Sequence, residues 1–175
     1  MGETVIKIIA AALLIGSGYF FGKSMHKKFA EKKVVLELLI ESILFLKSKI
    51  CQEAYTLPEA LSATVQKFCE YPDSLYERTA YYMVSEGLNA ETAWGQACDT
   101  FFEKSFIGEE DMSVIKNAGK LLGCGDRHMQ QENLDGLTEN LKKALKEADI
   151  KEKRDGALYI KIGLAAGCIF AIILW

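Results

Sequence analysis

The chain has 175 residues and a net charge of −3, from 21 basic and 24 acidic side chains, which excludes the broad positive footprint of a nucleic-acid binder. Half of the residues are hydrophobic and 26% are charged. That average conceals two apolar ends around a charged middle. Five cysteines, Cys51, Cys69, Cys98, Cys124 and Cys168, are widely spaced and odd in number, which argues against a disulfide framework and for reduced thiols in a cytoplasmic domain.

At the N-terminus, residues 8–22 hold no charge, and Val5 and Ile6 extend the run past Lys7. At the other end, residues 162–175 are uncharged and residues 157–160 extend them past Lys161. Each run with its extension approaches the ~20 residues a helix needs to cross a bilayer, and Lys7 and Lys161 lie close enough to an end to snorkel. Both therefore read as transmembrane helices. The basic flanks, Lys23, Lys27, Lys28, Lys32 and Lys33 after the first run and Lys151, Lys153 and Arg154 before the second, place the middle on the cytoplasmic side. A cleaved signal peptide is the alternative for the first run, but the strongest positive charge follows the apolar stretch instead of preceding it. Two buried core helices are the alternative for both. The expected domains are an N-terminal transmembrane helix over 1–22, a cytoplasmic helical bundle over 23–156 and a C-terminal transmembrane helix over 157–175.

Within the middle only helices are signalled, since prolines number two and hairpin signals are lacking. Residues 34–51 carry Val35, Leu38, Leu39, Ser42, Leu46 and Ile50 at helical spacing, with Ile43 and Phe45 widening the stripe, on a helix that continues the first apolar run. Thr56-Leu57-Pro58-Glu59 reads as a capping box opening a helix over 57–70, with Ala60, Leu61, Thr64, Val65 and Phe68 inward. Tyr71-Pro72-Asp73 breaks and restarts the chain, and a third helix runs to Glu86 and stops at Gly87. Asn89 caps a fourth, whose inner residues are Ala93, Trp94, Ala97, Phe101 and Phe102. Glu109, Glu110 and Asp111 open a fifth, with Met112, Ile115, Ala118, Gly119 and Leu122 inward. A sixth starts near Asp126, runs through Leu134, Leu137, Leu141, Leu145 and Ala148, and passes without a break into the last apolar run. The fold class is all-α, a six-helix antiparallel bundle flanked by N- and C-terminal transmembrane helices.

Chemical motifs fail on their own terms. Gly119-Lys120 lacks the Ser or Thr of a phosphate loop, and Gly123-x-Gly125 meets His128 where a dinucleotide fingerprint needs its third glycine. Cys124 and His128 lack two further metal ligands, and His26 sits in a basic stretch without a nucleophile beside it. No catalysis, cofactor or metal is therefore expected. What stands out is the polar run Asp126-Arg127-His128-Met129-Gln130 after a glycine-rich helix end. Gly123 and Asp126 fit a turn and a cap, whereas Arg127 and Gln130 fit an internal polar clamp or a partner surface. In the apolar ends, Gly18 and Gly22, and Gly163 and Gly167, lie one helical turn apart, a spacing that lets helix backbones approach in lipid.

The run Gly119-Lys120-Leu121-Leu122-Gly123-Cys124-Gly125-Asp126-Arg127-His128-Met129-Gln130, with Leu57-Pro58-Glu59-Ala60-Leu61 upstream and Trp94 between them, resembles the stage III sporulation protein AB family of endospore-forming bacteria. The resemblance covers the whole chain, with Gly125 standing where the family pattern has serine. It implies similarity to the inner-membrane platform proteins of type II secretion and type IV pilus machines. It also implies a place in the membrane around the forespore, with the central domain in the mother-cell cytoplasm. The partners it implies are a secretion-type sporulation ATPase, stage III sporulation protein AA, and other membrane components of the channel, with membrane lipids and self-association as further partnerships. Pro58, Glu59, Gly119, Gly123, Asp126, Arg127 and Gln130 then form a signature that is either partner-binding or structural. Three classes follow: a scaffold docking the ATPase to the channel; a membrane-bound adaptor acting through its basic flanks, above all Lys27, Lys28, Lys32 and Lys33; and an enzyme built on Asp126, Arg127 and His128. The resemblance selects the scaffold.

Overall fold

A computed structural model gives the fold. It describes the backbone of residues 2–68, 73–105, 107–122 and 127–173; within these, the side chains of residues 2–11, 14, 73, 74, 104, 127, 156, 157, 160, 170, 171 and 173 lie outside the description. Among the described residues the fold is all-α: α1 (Gly2–Cys51), α2 (Leu57–Lys67), α3 (Asp73–Ser85), α4 (Ala90–Lys104), α5 (Glu109–Leu122), α6 (Arg127–Lys151), a π-helical turn (Glu152–Gly156) and α7 (Ala157–Ile173). The residues divide into two compact units, one of residues 32–146 and one of residues 1–31 with 147–175.

The first unit is a bundle built from the second part of α1, the four short helices and most of α6. Its short helices pack in sequence, α2 on α3, α3 on α4 and α4 on α5. The inner stripe expected of α5 is buried throughout, from Met112 to Leu122. On α1 the buried face is Val35, Leu36, Leu39, Ile40, Ser42, Ile43, Leu46 and Ile50. Leu36 and Ile40 thus replace Leu38 and Phe45, which are half-buried. Val65, Phe68, Phe102 and Leu145, expected inside, are half-buried as well.

Two boundaries differ from the sequence reading. Helix α2 ends at Lys67 and not at residue 70: Phe68 leaves the helical region at φ −111°, its N–H still donating to Thr64 O at 3.0 Å. Its ring meets Phe45 of α1 edge-on at 5.9 Å. Between α6 and α7 the expected uninterrupted helix contains a π-helical turn, which widens the spiral locally. The break at Tyr71-Pro72 lies outside the described residues, and α3 begins at Asp73. After α3, Gly87 takes φ +67°, a conformation glycine adopts without the Cβ penalty.

Helix α1 runs without a break from the first apolar run into the bundle, 50 residues in all. Among the described residues, however, no helix is long and apolar enough to cross a membrane. Helix α7 has 17 described residues, and the side chains of 2–11 and 14, which carry much of the first apolar run, are outside the description. The two terminal spans expected from sequence are therefore not established as spans by the fold.

Candidate assembly surfaces

Pro58 and Glu59 work at the start of α2. The Thr56 backbone N–H donates to Glu59 Oε2 at 2.9 Å and the Thr56 hydroxyl donates to the same oxygen at 2.7 Å. These two bonds hold the Glu59 carboxyl below its ordinary range, the hydroxyl contributing most. Thr56 O takes the first helical bond, from Ala60 N at 2.9 Å. Pro58 sits in the first turn, where its missing N–H costs nothing. Outside this helix start lies a shallow groove of about 450 Å³ bordered by Tyr55, Pro58, Ser62 and Val84.

Gly119 is the seat of a tryptophan. A Cβ at this position would stand 2.9 Å from Trp94 Cδ1 and 3.2 Å from Glu91 O. Trp94 is fully buried, its Nε1 donating to Ile115 O on α5 at 2.7 Å, with its ring 5.8 Å from that of Tyr76. The bare face of α5 thus lets α4 come close enough to make this bond. The Asn89 cap that starts α4 on the right turn is formed, its Oδ1 accepting from Thr92 N at 2.8 Å.

Gln130 closes the other end of α5: its Nε2 donates to Leu122 O at 3.1 Å, supplying a partner to a carbonyl that the helix end leaves open. Gly123, Cys124, Gly125 and Asp126 lie outside the described residues, and Arg127 begins α6 with its side chain outside the description. Among the described signature residues, then, Pro58, Glu59, Gly119 and Gln130 each serve a helix start, a helix contact or a helix end.

The charged side chains along α5 divide in two. Asp111 pairs with Lys32 of α1 at 2.5 Å and Lys116 with Asp99 of α4 at 2.8 Å, while Glu109, Glu110 and Lys120 are exposed. His128 is exposed, 3.4 Å from Glu132 on the same helix. Cys98 is buried, and desolvation pushes its thiol up to about 12, the opposite of an activated nucleophile. Among the described residues no cluster of three His, Cys, Asp or Glu side chains could hold a metal ion.

In the second unit α1 and α7 meet at their glycines. A Cβ on Gly18 would stand 3.4 Å from Gly167 Cα, and a Cβ on Gly163 would stand 3.4 Å from Gly22 N, with the Gly18 and Gly163 carbonyls closer still. Gly22, Gly163 and Gly167 are buried. Further along, Phe29 and Tyr159 stack at 5.8 Å. The large apolar side chains face the other way: Phe20 is 75% exposed, Phe21 63%, Ile162 53% and Ile172 74%.

The sequence profile described as stage III sporulation protein AB matches residues 7–175. The chain belongs to this family. It is 19% identical over 170 residues to stage III sporulation protein AB of Bacillus subtilis (strain 168), covering 97% of this chain and 99% of the relative. A solved structure described as stage III sporulation protein AB superposes with a TM-score of 0.66 at 18% identity, over 71% of this chain and 98% of the solved one, which shows that the family member's fold is shared.

Proposed function

We propose that this sporulation-family protein is a membrane-anchored platform of a secretion-like channel between mother cell and forespore. In this reading α1 and α7 anchor it in the membrane around the forespore, and the bundle, in the mother-cell cytoplasm, docks the secretion-type ATPase, stage III sporulation protein AA. The observation that carries the anchor is the reversal of the usual burial order in the second unit: glycines inside, phenylalanines and isoleucines outside. In water such a surface is unfavourable, whereas in lipid, where close backbone packing drives association, it is the favoured arrangement. The basic flanks support the same reading, since Lys23 and Lys28 are exposed next to the apolar run and attract anionic headgroups. A bundle whose described signature residues serve its own helices supports a scaffold over a catalyst.

The test is fractionation of the full chain from sporulating cells, followed by co-purification with the ATPase in mild detergent. The chain stays in the membrane pellet through an alkaline carbonate wash and brings the ATPase with it; release by carbonate would refute the anchor, and a retained chain that never carries the ATPase would refute the docking role. Gly163→Leu, which drives a side chain into the Gly18 backbone, destabilises the anchored chain and lowers its recovery from the pellet.

A further inference from the structure

The α2 and α3 side of the bundle carries an exposed apolar patch. Tyr55, Tyr81 and Val84 are three of the six large apolar side chains that the bundle leaves exposed among its described residues, Tyr81 at 57% and Val84 at 71%. Tyr55 and Val84 border the groove of about 450 Å³ outside the start of α2, with Pro58 and Ala63 also on its wall. Tyr81 precedes Val84 by one turn on the same face of α3. Tyr55 is held in place by the chain itself. Its N–H donates to Lys49 O at 3.0 Å, closing the end of α1, and its ring centroid lies 5.1 Å from Lys49 Nζ, which is bound to Glu53 at 2.7 Å. In this turn Ala54 takes φ +61°, a left-handed conformation unfavourable for a residue with a Cβ. An exposed tyrosine fixed in this way loses little freedom when covered, and it is of the residue type that dominates interfaces.

The free charge beside the patch is negative. Both Thr56 bonds fall on Glu59 Oε2, which leaves Oε1 open to the groove that Glu59 lines. Glu77, Tyr81 and Val84 stand at i, i+4 and i+7 on α3, and Glu77 is exposed. The neighbouring cations are engaged elsewhere: Lys67 of α2 lies 4.1 Å from the Phe45 ring centroid, Lys49 is paired with Glu53, and Arg78, the one cation of α3, is half-buried. A covering segment therefore meets apolar side chains and unopposed carboxylates. The walls are helices with no open strand edge, so an extended segment would leave its covered N–H and C=O groups unpaired, whereas a helix satisfies its own.

We propose, on the docking role given above, that this groove takes an amphipathic helix of the ATPase, its apolar ridge on Tyr55, Tyr81 and Val84 and its Lys or Arg side chains facing Glu59 and Glu77. Pro58 and Glu59 thereby serve two ends at once: they start α2 and they shape the surface beside it.

The experiment measures binding of the purified ATPase, stage III sporulation protein AA, to the purified full chain in mild detergent, for the native chain and for Val84→Asp, Tyr81→Ala and Glu77→Lys. All three positions are exposed, and circular dichroism checks that each variant keeps the native helix content. Val84→Asp and Tyr81→Ala each weaken binding about tenfold or more. Glu77→Lys slows association and flattens its dependence on salt; it and Tyr81→Ala decide the matter if Val84→Asp fails to fold. A photoreactive benzoylphenylalanine placed at position 84 then crosslinks to the ATPase, and mass spectrometry of the joined peptide finds a helical segment with an apolar ridge and Lys or Arg beside it. Folded variants that bind as tightly as the native chain overturn the groove and leave the docking role standing. So does a crosslink to an acidic or extended segment, or to a second copy of the chain. A native chain that never binds the ATPase overturns both.

Discussion

Replacing Gly119 by alanine should destabilise the bundle, although the same change in an ordinary helix would stabilise it. Relief of the glycine entropy favours alanine by about 1 kcal/mol. Against it, the new Cβ would stand 2.9 Å from Trp94 Cδ1, 3.1 Å from Trp94 Cβ and 3.2 Å from Glu91 O. The last two belong to the base of the side chain and to backbone, so α4 has to move. Trp94 is fully buried and tied to Ile115 O at 2.7 Å, so moving it strains or breaks that bond. Overpacking costs about 1–3 kcal/mol and the hydrogen bond contributes about 1 kcal/mol. The net loss is then about 1–3 kcal/mol, a fall in melting temperature of about 4–12 °C for a bundle of this size. Thermal unfolding followed by circular dichroism, with near-ultraviolet signal reporting the Trp94 environment, reads it directly. Gly95→Ala is the control on the same helix pair: its Cβ lies 3.7 Å from Lys116 Cε, an ordinary contact with a flexible side chain, and stability should rise by up to about 1 kcal/mol. If Gly119→Ala melts at or above the native temperature, the wedge argument is wrong.

Gln130→Ala removes the donor to Leu122 O and should cost about 0.5–1.5 kcal/mol, with faster amide exchange confined to the last turn of α5; unchanged exchange there would show that the bond does not close the helix. The capping of α2 should be pH-dependent. Because Glu59 has a lowered pKa in the folded chain, its contribution is fully present above the unfolded carboxylate value and is lost as pH falls through the lower folded value. Exchange protection at the start of α2 should therefore exceed that of Glu59→Gln at neutral pH and converge with it in acid, and a difference that persists in acid would rule out the ionised cap.

Helix number, order and the inner stripe of α5 were legible because apolar residues at three- and four-residue spacing leave one face for the core, and because Asn89 and Thr56 are chemically specific helix starts. The stripe of α1 was legible only in part. The sequence spacing selects Leu38 and Phe45, whereas the structure buries Leu36 and Ile40, widening the face toward neighbours that a single helix pattern does not reveal. The role of Gly119 is a matter of tertiary distance: Trp94 is 25 residues away, and nothing local to either says that one is the seat of the other. Gln130 was readable as a clamp or a surface, and its side chain donates to a carbonyl eight residues back. A signal for the Trp94 seat was nonetheless present, since a glycine on the inner stripe of an otherwise good helix invites a large partner opposite.

Polar groups inside the bundle explain how helices of weakly specific apolar faces hold one register. The hydroxyls of Thr64, Thr79 and Thr138 each donate to the carbonyl four residues back, at 2.8, 2.7 and 2.7 Å, and so are satisfied within their own helices. They tolerate sliding. The bonds that cross between helices do not: Ser42 of α1 meets the Tyr76 hydroxyl of α3 at 2.6 Å, and Trp94 of α4 meets Ile115 O of α5. Ser42 already donates to Leu39 O at 3.0 Å, which leaves its lone pairs for Tyr76 to donate into. Slipping α3 or α4 by one turn would strand a buried donor in each case, at a cost of about 1–3 kcal/mol apiece. Leucine and isoleucine can exchange freely around such fixed points, losing little as long as volume is kept. In this bundle a few directional bonds and close glycine contacts set the geometry, and the apolar positions need only preserve the pattern.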